Sequence, residues 1–383
     1  MIDFVDAARG FQAELQTRAD EIERKRQLPP DISGKLATAG FYRLCVPEIY
    51  GGHELDPVSL AQVIETLAQG DGSAAWCVFI GATSGLVSAY MPEVTAKAVF
   101  AADQNLIVAG VFAPRGRAVE QGDAYIVNGR WQWASGSPNA KMIMGGCLVT
   151  RNGQPVLMAS GIPDSRMVMV PTAEAELLGN WDVSGLCGTG SQDFTIKDRR
   201  VSRDMSVSLM SDKPLQRPLY AFPVFGMLAQ GIAAVSLGLA RASILELMKL
   251  ATGKTPEGHR KPLAARARTQ EDVADAEATL RSARAFFYES ISDGWNEALK
   301  GNPLSLTTRR DIRLSSTHAV RSCVKVVDLM YNLGGGTSVY RTSPLQRHFR
   351  DVHVASQHMM IATPTLETVG RVMLGLETDV TQL

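Results

Sequence analysis

The chain has 383 residues, with 39 Lys and Arg against 39 Asp and Glu, so the formal net charge is zero. That balance excludes the clustered basic excess of a nucleic-acid binder and gives no polybasic contact for a membrane surface. At 45% hydrophobic and 20% charged residues the composition is that of an ordinary folded protein, long enough for two or three domains.

Residues 1–104 read as a helical domain. Ala7–Arg26 is amphipathic, Pro29-Pro30-Asp31 opens a second helix, and the segment around Val58–Ala68 ends at Gly70 and Gly72. The stretch from Gly72 to Met91 is small-residue-rich and almost uncharged, which suits a buried helix. Four or five helices fit before Asp103. Residues 105–205 then show short apolar runs broken by turns, an all-β domain of six to eight strands. Tyr125–Val127 and Trp131–Trp133, with Asn128-Gly129 between them, predict a hairpin. From 206 to 383 helical texture returns: a long apolar helix from Phe225, two further long helices, and two last ones over Ser343–Met360 and Thr363–Leu376. The third of these helices is stopped by Gly334-Gly335-Gly336.

Cys45, Cys77, Cys147, Cys187 and Cys323 are scattered, odd in number and without a CxxC pair, so neither a disulfide framework nor a zinc site is expected. The polar N-terminus lacks a signal-peptide core. The longest apolar stretch, Phe225–Leu239, falls short of the roughly 20 residues of a membrane span. The expectation is a soluble, cytoplasmic protein.

No P-loop, GxSxG, HExxH or GxGxxG occurs, and the glycine triplet follows a helix, not a strand. More telling is an ordered set of words: VPEIYGG (Val46–Gly52), SAAW (Ser73–Trp76), FAPRGRA (Phe112–Ala118), WQWASGS (Trp131–Ser137), GLCGTGSQD (Gly185–Asp193) and PLQRHFRDVHVASQH (Pro344–His358). Over essentially its whole length the chain resembles the acyl-CoA dehydrogenase fold superfamily. Within it, the chain is similar to the two-component flavin-dependent monooxygenases, the relatives of p-hydroxyphenylacetate hydroxylase oxygenase components and indole oxygenases. The resemblance implies an α+β fold: an N-terminal helical domain, a central β-barrel or sandwich domain, and a C-terminal four-helix bundle.

It also implies a flavin between the β domain and the C-terminal helices. Ser135 matches the position that hydrogen-bonds near flavin N5, where a hydroxyl donates or accepts as the ring changes redox state. Phe112, Ala113 and Pro114 would face the pyrimidine side, with Trp133 beside the ring. Gly334, Gly335 and Gly336 resemble the glycine turn that approaches the adenosine diphosphate of FAD, which favours FAD over FMN, although the branch contains both. Arg260 matches an arginine reaching the diphosphate of a neighbouring subunit, and the family's dimer-of-dimers habit implies a homotetramer.

A dehydrogenase of this fold removes a substrate α-proton with a carboxylate. One family position for that carboxylate lies about nine residues after the Arg350-Asp351 pair, where His358 and Met359 stand. The other lies on the first helix after the β domain, yet no acid occurs between Asp212 and Glu246. The base is absent from both, which favours oxygen chemistry: reduced flavin from a partner reductase, O2, a C4a-hydroperoxide in a dry pocket, and an aromatic substrate. In the hydroxylase branch a histidine matching His358 points at the substrate and polarises or deprotonates it. His353 is read as a brace of the fold; no Cys or second acid completes a metal set with the two histidines. Trp76, Phe112 and Trp133 are expected as apolar walls around the substrate, with Met359 beside them and Phe79 in the core. Ser84 stands where many hydroxylase relatives carry a second histidine, which makes a non-phenolic ring such as indole attractive. The alternatives are an acyl-CoA dehydrogenase with a displaced base and a flavin-binding protein without catalysis.

Overall fold

Aspartates start the N-terminal helices. In the computed structural model, which describes residues 2–301 and 303–383, Asp3 caps α1 (Phe4–Lys25) and Asp56 caps α3 (Pro57–Ala68), whose N1 residue is Pro57. Between them lies α2 (Pro30–Thr38). Asp71 Oδ1 accepts from Ala74 N at 2.8 Å and opens α4 (Gly72–Ser84). A short α5 (Glu93–Ala96) follows. α4 is buried on nearly every side, as its uncharged sequence requires.

The β region forms one sheet of eight strands: β1 (Val108–Gln121), β2 (Ala124–Trp131), β3 (Met142–Arg151), β4 (Gln154–Pro155), β5 (Ser165–Pro171), β6 (Glu176–Leu177), β7 (Phe194–Ser202) and β8 (Ser206–Val207). Its order is β6-β7-β2-β1-β3-β5-β8, with β4 beside β3. It is mixed: β1 runs parallel to β3 and antiparallel to β2. The register of β1 slips on both sides of Pro114, which has no N–H to give the ladder, so Phe112–Pro114 forms an irregular step in the strand.

The predicted hairpin at Asn128-Gly129 is not there. Both residues lie inside β2, and the chain reverses instead at Gly122-Asp123. Asn128 is held in a bulge by Asp198, its Nδ2 donating to Oδ1 at 3.1 Å and its Oδ1 accepting from Asp198 N at 2.9 Å. Gly129 is needed for space, since a Cβ there would meet the Trp131 ring at 2.7 Å. Trp131 stacks on Phe194 at 4.8 Å and donates its Nε1–H to Gly146 O at 2.7 Å, anchoring the core of the sheet.

The C-terminal region holds α6 (Pro218–Ala221), α7 (Val224–Gly253), α8 (Ala267–Ala298), α9 (Leu306–Gly334), α10 (Pro344–Ala355) and α11 (Thr363–Met373). Gly72–Ala89 and Val224–Gly253 are both long and apolar enough to span a bilayer, more than the sequence reading allowed, but both run mostly buried through the protein interior. α10 is shorter than expected. It stops at Ala355, where Ser356 Oγ donates back to His353 O at 2.7 Å, so His358 and Met359 sit on the connection to α11.

Candidate active site

Three elements meet at Trp76. α4 carries its indole, whose Nε1–H donates to Ser135 Oγ at 3.0 Å. The connection after α10 brings the His358 ring to 5.9 Å from the Trp76 ring, and Phe79 meets Trp76 edge-on at 5.9 Å. Trp76 and Ser135 are buried and His358 is half-buried. The structure thus unites three of the residues singled out in the sequence. Trp133, two residues before Ser135, is held outward with φ 68° and is 67% exposed; Met359 is 61% exposed. Positive φ at a non-glycine residue costs free energy, and the turn that follows β2 carries it at Trp133.

The turn bearing Ser135 is clamped by the second half of the GLCGTGSQD word. Ala134 N donates to Gln192 O at 3.0 Å and Gly136 N to Thr189 O at 2.8 Å. Ser135 Oγ lies 2.7 Å from Ser191 Oγ, which lies 2.7 Å from Thr189 Oγ1; Thr189 Oγ1 donates to Leu186 O at 2.8 Å. Leu186, at φ 50°, donates its N–H to Asp351 Oδ1 at 2.6 Å. Burial lifts the Asp351 carboxyl to about 7, reinforced by Asp71, which burial lifts to about 6.

His358 Nδ1 accepts from Met360 N at 3.2 Å. Burial, aided by the nearby Arg313 guanidinium, pushes the imidazole down to about 4, so it is neutral at physiological pH. With Nδ1 as acceptor, the proton of the neutral ring resides on Nε2, which leaves that nitrogen a donor. A ring in this state polarises an acceptor atom and does not abstract a proton. Arg313 is itself buried; it donates to Met360 O at 2.8 Å and to Gln382 O, and so fixes the His358 connection from behind.

His353 Nε2 pairs with Asp328 Oδ1 at 2.9 Å between α10 and α9. His348 is half-buried with its Nδ1 3.1 Å from Ser243 Oγ, and desolvation pushes it down to about 3. Ser84 is buried at the far end of α4, about 12 Å along the axis from Trp76. Phe112 and Ala113 are half-buried and Pro114 is exposed. Gly335, at φ 55°, and Gly336 are exposed with open space beside Gly336, whereas Gly334 is closed off by Ser338. Lys254 stands beside this turn, its Nζ donating to Gly334 O at 2.6 Å; Arg260 is exposed in the segment between α7 and α8.

Sequence reasoning passed over Ser191, Thr189, Lys254, Arg313 and Asp351. The first two lay within a word already singled out, and Asp351 within the Arg-Asp pair used for counting. Arg313 and Lys254 carried no sequence signal.

Residues 2–96 match the family model for the acyl-CoA dehydrogenase N-terminal domain, and residues 230–363 that for the acyl-CoA dehydrogenase C-terminal domain. The indole-3-acetate monooxygenase of Pseudomonas putida is 34% identical over 94% of this chain and 90% of its own length. The chain belongs to the acyl-CoA dehydrogenase superfamily, in its flavin-dependent monooxygenase branch. The family fold is seen in the 3-HSA hydroxylase of Rhodococcus sp. RHA1, with a TM-score of 0.91 at 23% identity over 100% of this chain and 99% of that one. XiaF from Streptomyces sp., solved with FADH2 and glycerol, superposes with a TM-score of 0.88 at 22% identity over 98% and 96% of the two chains. At such identities these structures speak for the fold. Family members of the dehydrogenase type need the carboxylate that is missing here, since the second candidate helix, α7, has its first acid at Glu246, well past its midpoint.

Proposed function

We propose that this protein is the oxygenase component of a two-component monooxygenase, using reduced flavin from a separate reductase to place one atom of O2 in an indolic or other aromatic small molecule. The observation that carries the reading is the joining of Trp76, Ser135 and a neutral, donor-presenting His358 at one place, in a fold whose dehydrogenase base positions hold no acid. Asp71 and Asp351, the nearby buried acids, are already bound to backbone N–H groups.

The residues present fit a flavin. The exposed Gly335-Gly336 turn lets a ligand approach the backbone closely, and the Lys254 ammonium beside it would meet an anionic diphosphate. FAD is therefore the proposed form, with FMN as the alternative outcome of the binding test. When bound in its reduced form, the flavin supplies two electrons and the centre at which O2 reacts. Ser135 holds the N5 edge of the ring, while Phe112, Ala113, Pro114 and Trp133 line the ring's flank. Trp76 and Phe79 exclude water from the side of α4, which suppresses unproductive peroxide release. His358 Nε2–H orients the substrate through an acceptor atom, with Met359 beside it. An indole bearing an acidic side chain would offer carboxylate acceptors to this donor, in the positive field of the nearby Arg313 guanidinium. The indole-3-acetate monooxygenase relative supports the same substrate class. The proposed assembly is a homotetramer in the cytoplasm, with Arg260 reaching a neighbouring flavin; light scattering gives the mass.

The test mixes the protein with reduced FAD or reduced FMN, O2 and indole-3-acetate. Product formed only with reduced flavin supports the reading. Tightly bound oxidised FAD bleached anaerobically by an acyl-CoA would replace it with a dehydrogenase.

A further inference from the structure

We infer that Trp76, Ser191 and Thr189 form a one-way hydrogen-bond chain that fixes Ser135 as an acceptor, so that the site selects reduced over oxidised flavin. The inference rests on the proposed placement of flavin N5 at Ser135.

The two ends of the chain set its direction. An indole N–H only donates, and that of Trp76 donates to Ser135 Oγ at 3.0 Å. A carbonyl only accepts, and Leu186 O accepts from Thr189 Oγ1 at 2.8 Å. Each hydroxyl between them has a single proton. Thr189 uses its proton on Leu186, so across the 2.7 Å contact it accepts from Ser191. Ser191 has then used its own, so across its 2.7 Å contact it accepts from Ser135. Ser135 is left with its proton committed to Ser191, one lone pair committed to Trp76, and one lone pair free. It presents an acceptor and nothing else.

The chain is also guarded against reversal. Trp76, Ser135, Thr189 and Ser191 are all at most 7% exposed, so water does not offer substitute partners. The accepting end is immobile, because Asp351 holds the Leu186 N–H at 2.6 Å. Turning Ser135 into a donor would break its 2.7 Å bond to Ser191, or require all three hydroxyls to rotate and withdraw the Thr189 hydroxyl from Leu186 O, so the chain loses a buried hydrogen bond either way.

Reduced isoalloxazine carries a proton on N5, whereas the oxidised ring presents a lone pair there. A fixed acceptor bonds to the first and faces the second lone pair to lone pair. Ser191 and Thr189 are therefore positioning residues for Ser135. An oxygenase with this polarity captures reduced flavin from a reductase and releases it once oxidised.

The test is the ratio of dissociation constants for oxidised and anaerobically reduced FAD. Thr189→Val removes the donor to Leu186 and the acceptor for Ser191, freeing Ser191 to donate to Ser135 and Ser135 to donate outward. The ratio is expected to fall about ten-fold, chiefly through tighter oxidised FAD. Ser191→Ala is the second variant with the same expectation, and Thr189→Ser, which restores the hydroxyl, keeps the wild-type ratio. A ratio unchanged in both Thr189→Val and Ser191→Ala, while Ser135→Ala alters it, would overturn the chain. Ser135→Ala leaving both affinities unchanged would overturn the placement of N5, and the inference with it.

Discussion

Replacing Asp351 by Asn keeps an oxygen for the Leu186 N–H and removes a buried charge. In the folded protein burial lifts this carboxyl from 3.8 to about 7, with Asp71 raising it further and Arg347 and Arg350 opposing. A raised acid binds its proton more tightly in the folded chain than in the unfolded one. Stability is then lost as the pH rises through the interval between the two values, and the loss is complete above the folded value. At about 1.4 kcal/mol for each pKa unit, the charged Asp351 costs the folded state about 4 kcal/mol at alkaline pH. Most of that cost is absent at about pH 4. The neutral amide of the Asp351→Asn variant carries no such cost at any pH. The stability of this variant relative to wild type is therefore expected to grow by about 3 kcal/mol between about pH 5 and pH 8, read from urea unfolding at each pH. Taking the difference removes the contributions of His348 and His358, which have the opposite sign and are common to both proteins. Parallel stability curves over this range would refute the buried-carboxylate argument.

His358→Phe keeps the apolar contact with Trp76 but loses Nε2–H; product formation per reduced flavin is expected to fall about a hundred-fold, with reduced-FAD affinity within about two-fold of wild type in a direct titration. Because the imidazole is pushed down to about 4 and is neutral above that, the oxygenation rate should show no His358 inflection between about pH 5.5 and pH 8, and one that vanished in His358→Phe would contradict the assigned state. Lys254→Met is expected to weaken reduced FAD about ten-fold and leave reduced FMN nearly unaffected in a direct titration, since only FAD would extend its diphosphate to the glycine turn. Gly145→Ala drives a methyl into the Trp131 ring and should cost about 2 kcal/mol in thermal unfolding without shifting the oxidised-to-reduced affinity ratio.

The helix–sheet–helix order was legible because texture changes sharply: uncharged small residues make α4 and α7, and alternating runs with turn residues make the sheet. Trp76, Ser135 and His358 were legible through their words, and the structure unites them. Other features depend on partners distant in sequence. Asn128-Gly129 has the local chemistry of a turn, yet Asp198, 70 residues on, and the Trp131 ring turn it into a bulge. The sequence carries the helical pattern on to Met360, whereas α10 ends at Ala355 beside a Ser356 whose turn-forming role is weak in sequence; Arg313 fixes the connection through Met360 O from 47 residues away. The state of His358 was open for the same reason. Its tautomer follows from a backbone N–H two residues on, and its neutrality from burial that only the packed chain creates. The hydroxyls of Thr189 and Ser191 were visible as letters, but their direction requires knowing what stands at each end of the chain.

The central claim is that O2, not a substrate α-proton, is what this site handles. Reaction of the protein with reduced FAD, indole-3-acetate and ¹⁸O₂ tests it most directly, with mass spectrometry of the product. One labelled oxygen atom is expected in the product, diminished in His358→Phe. Product carrying oxygen from water alone, or oxidation proceeding anaerobically with oxidised FAD, would contradict it.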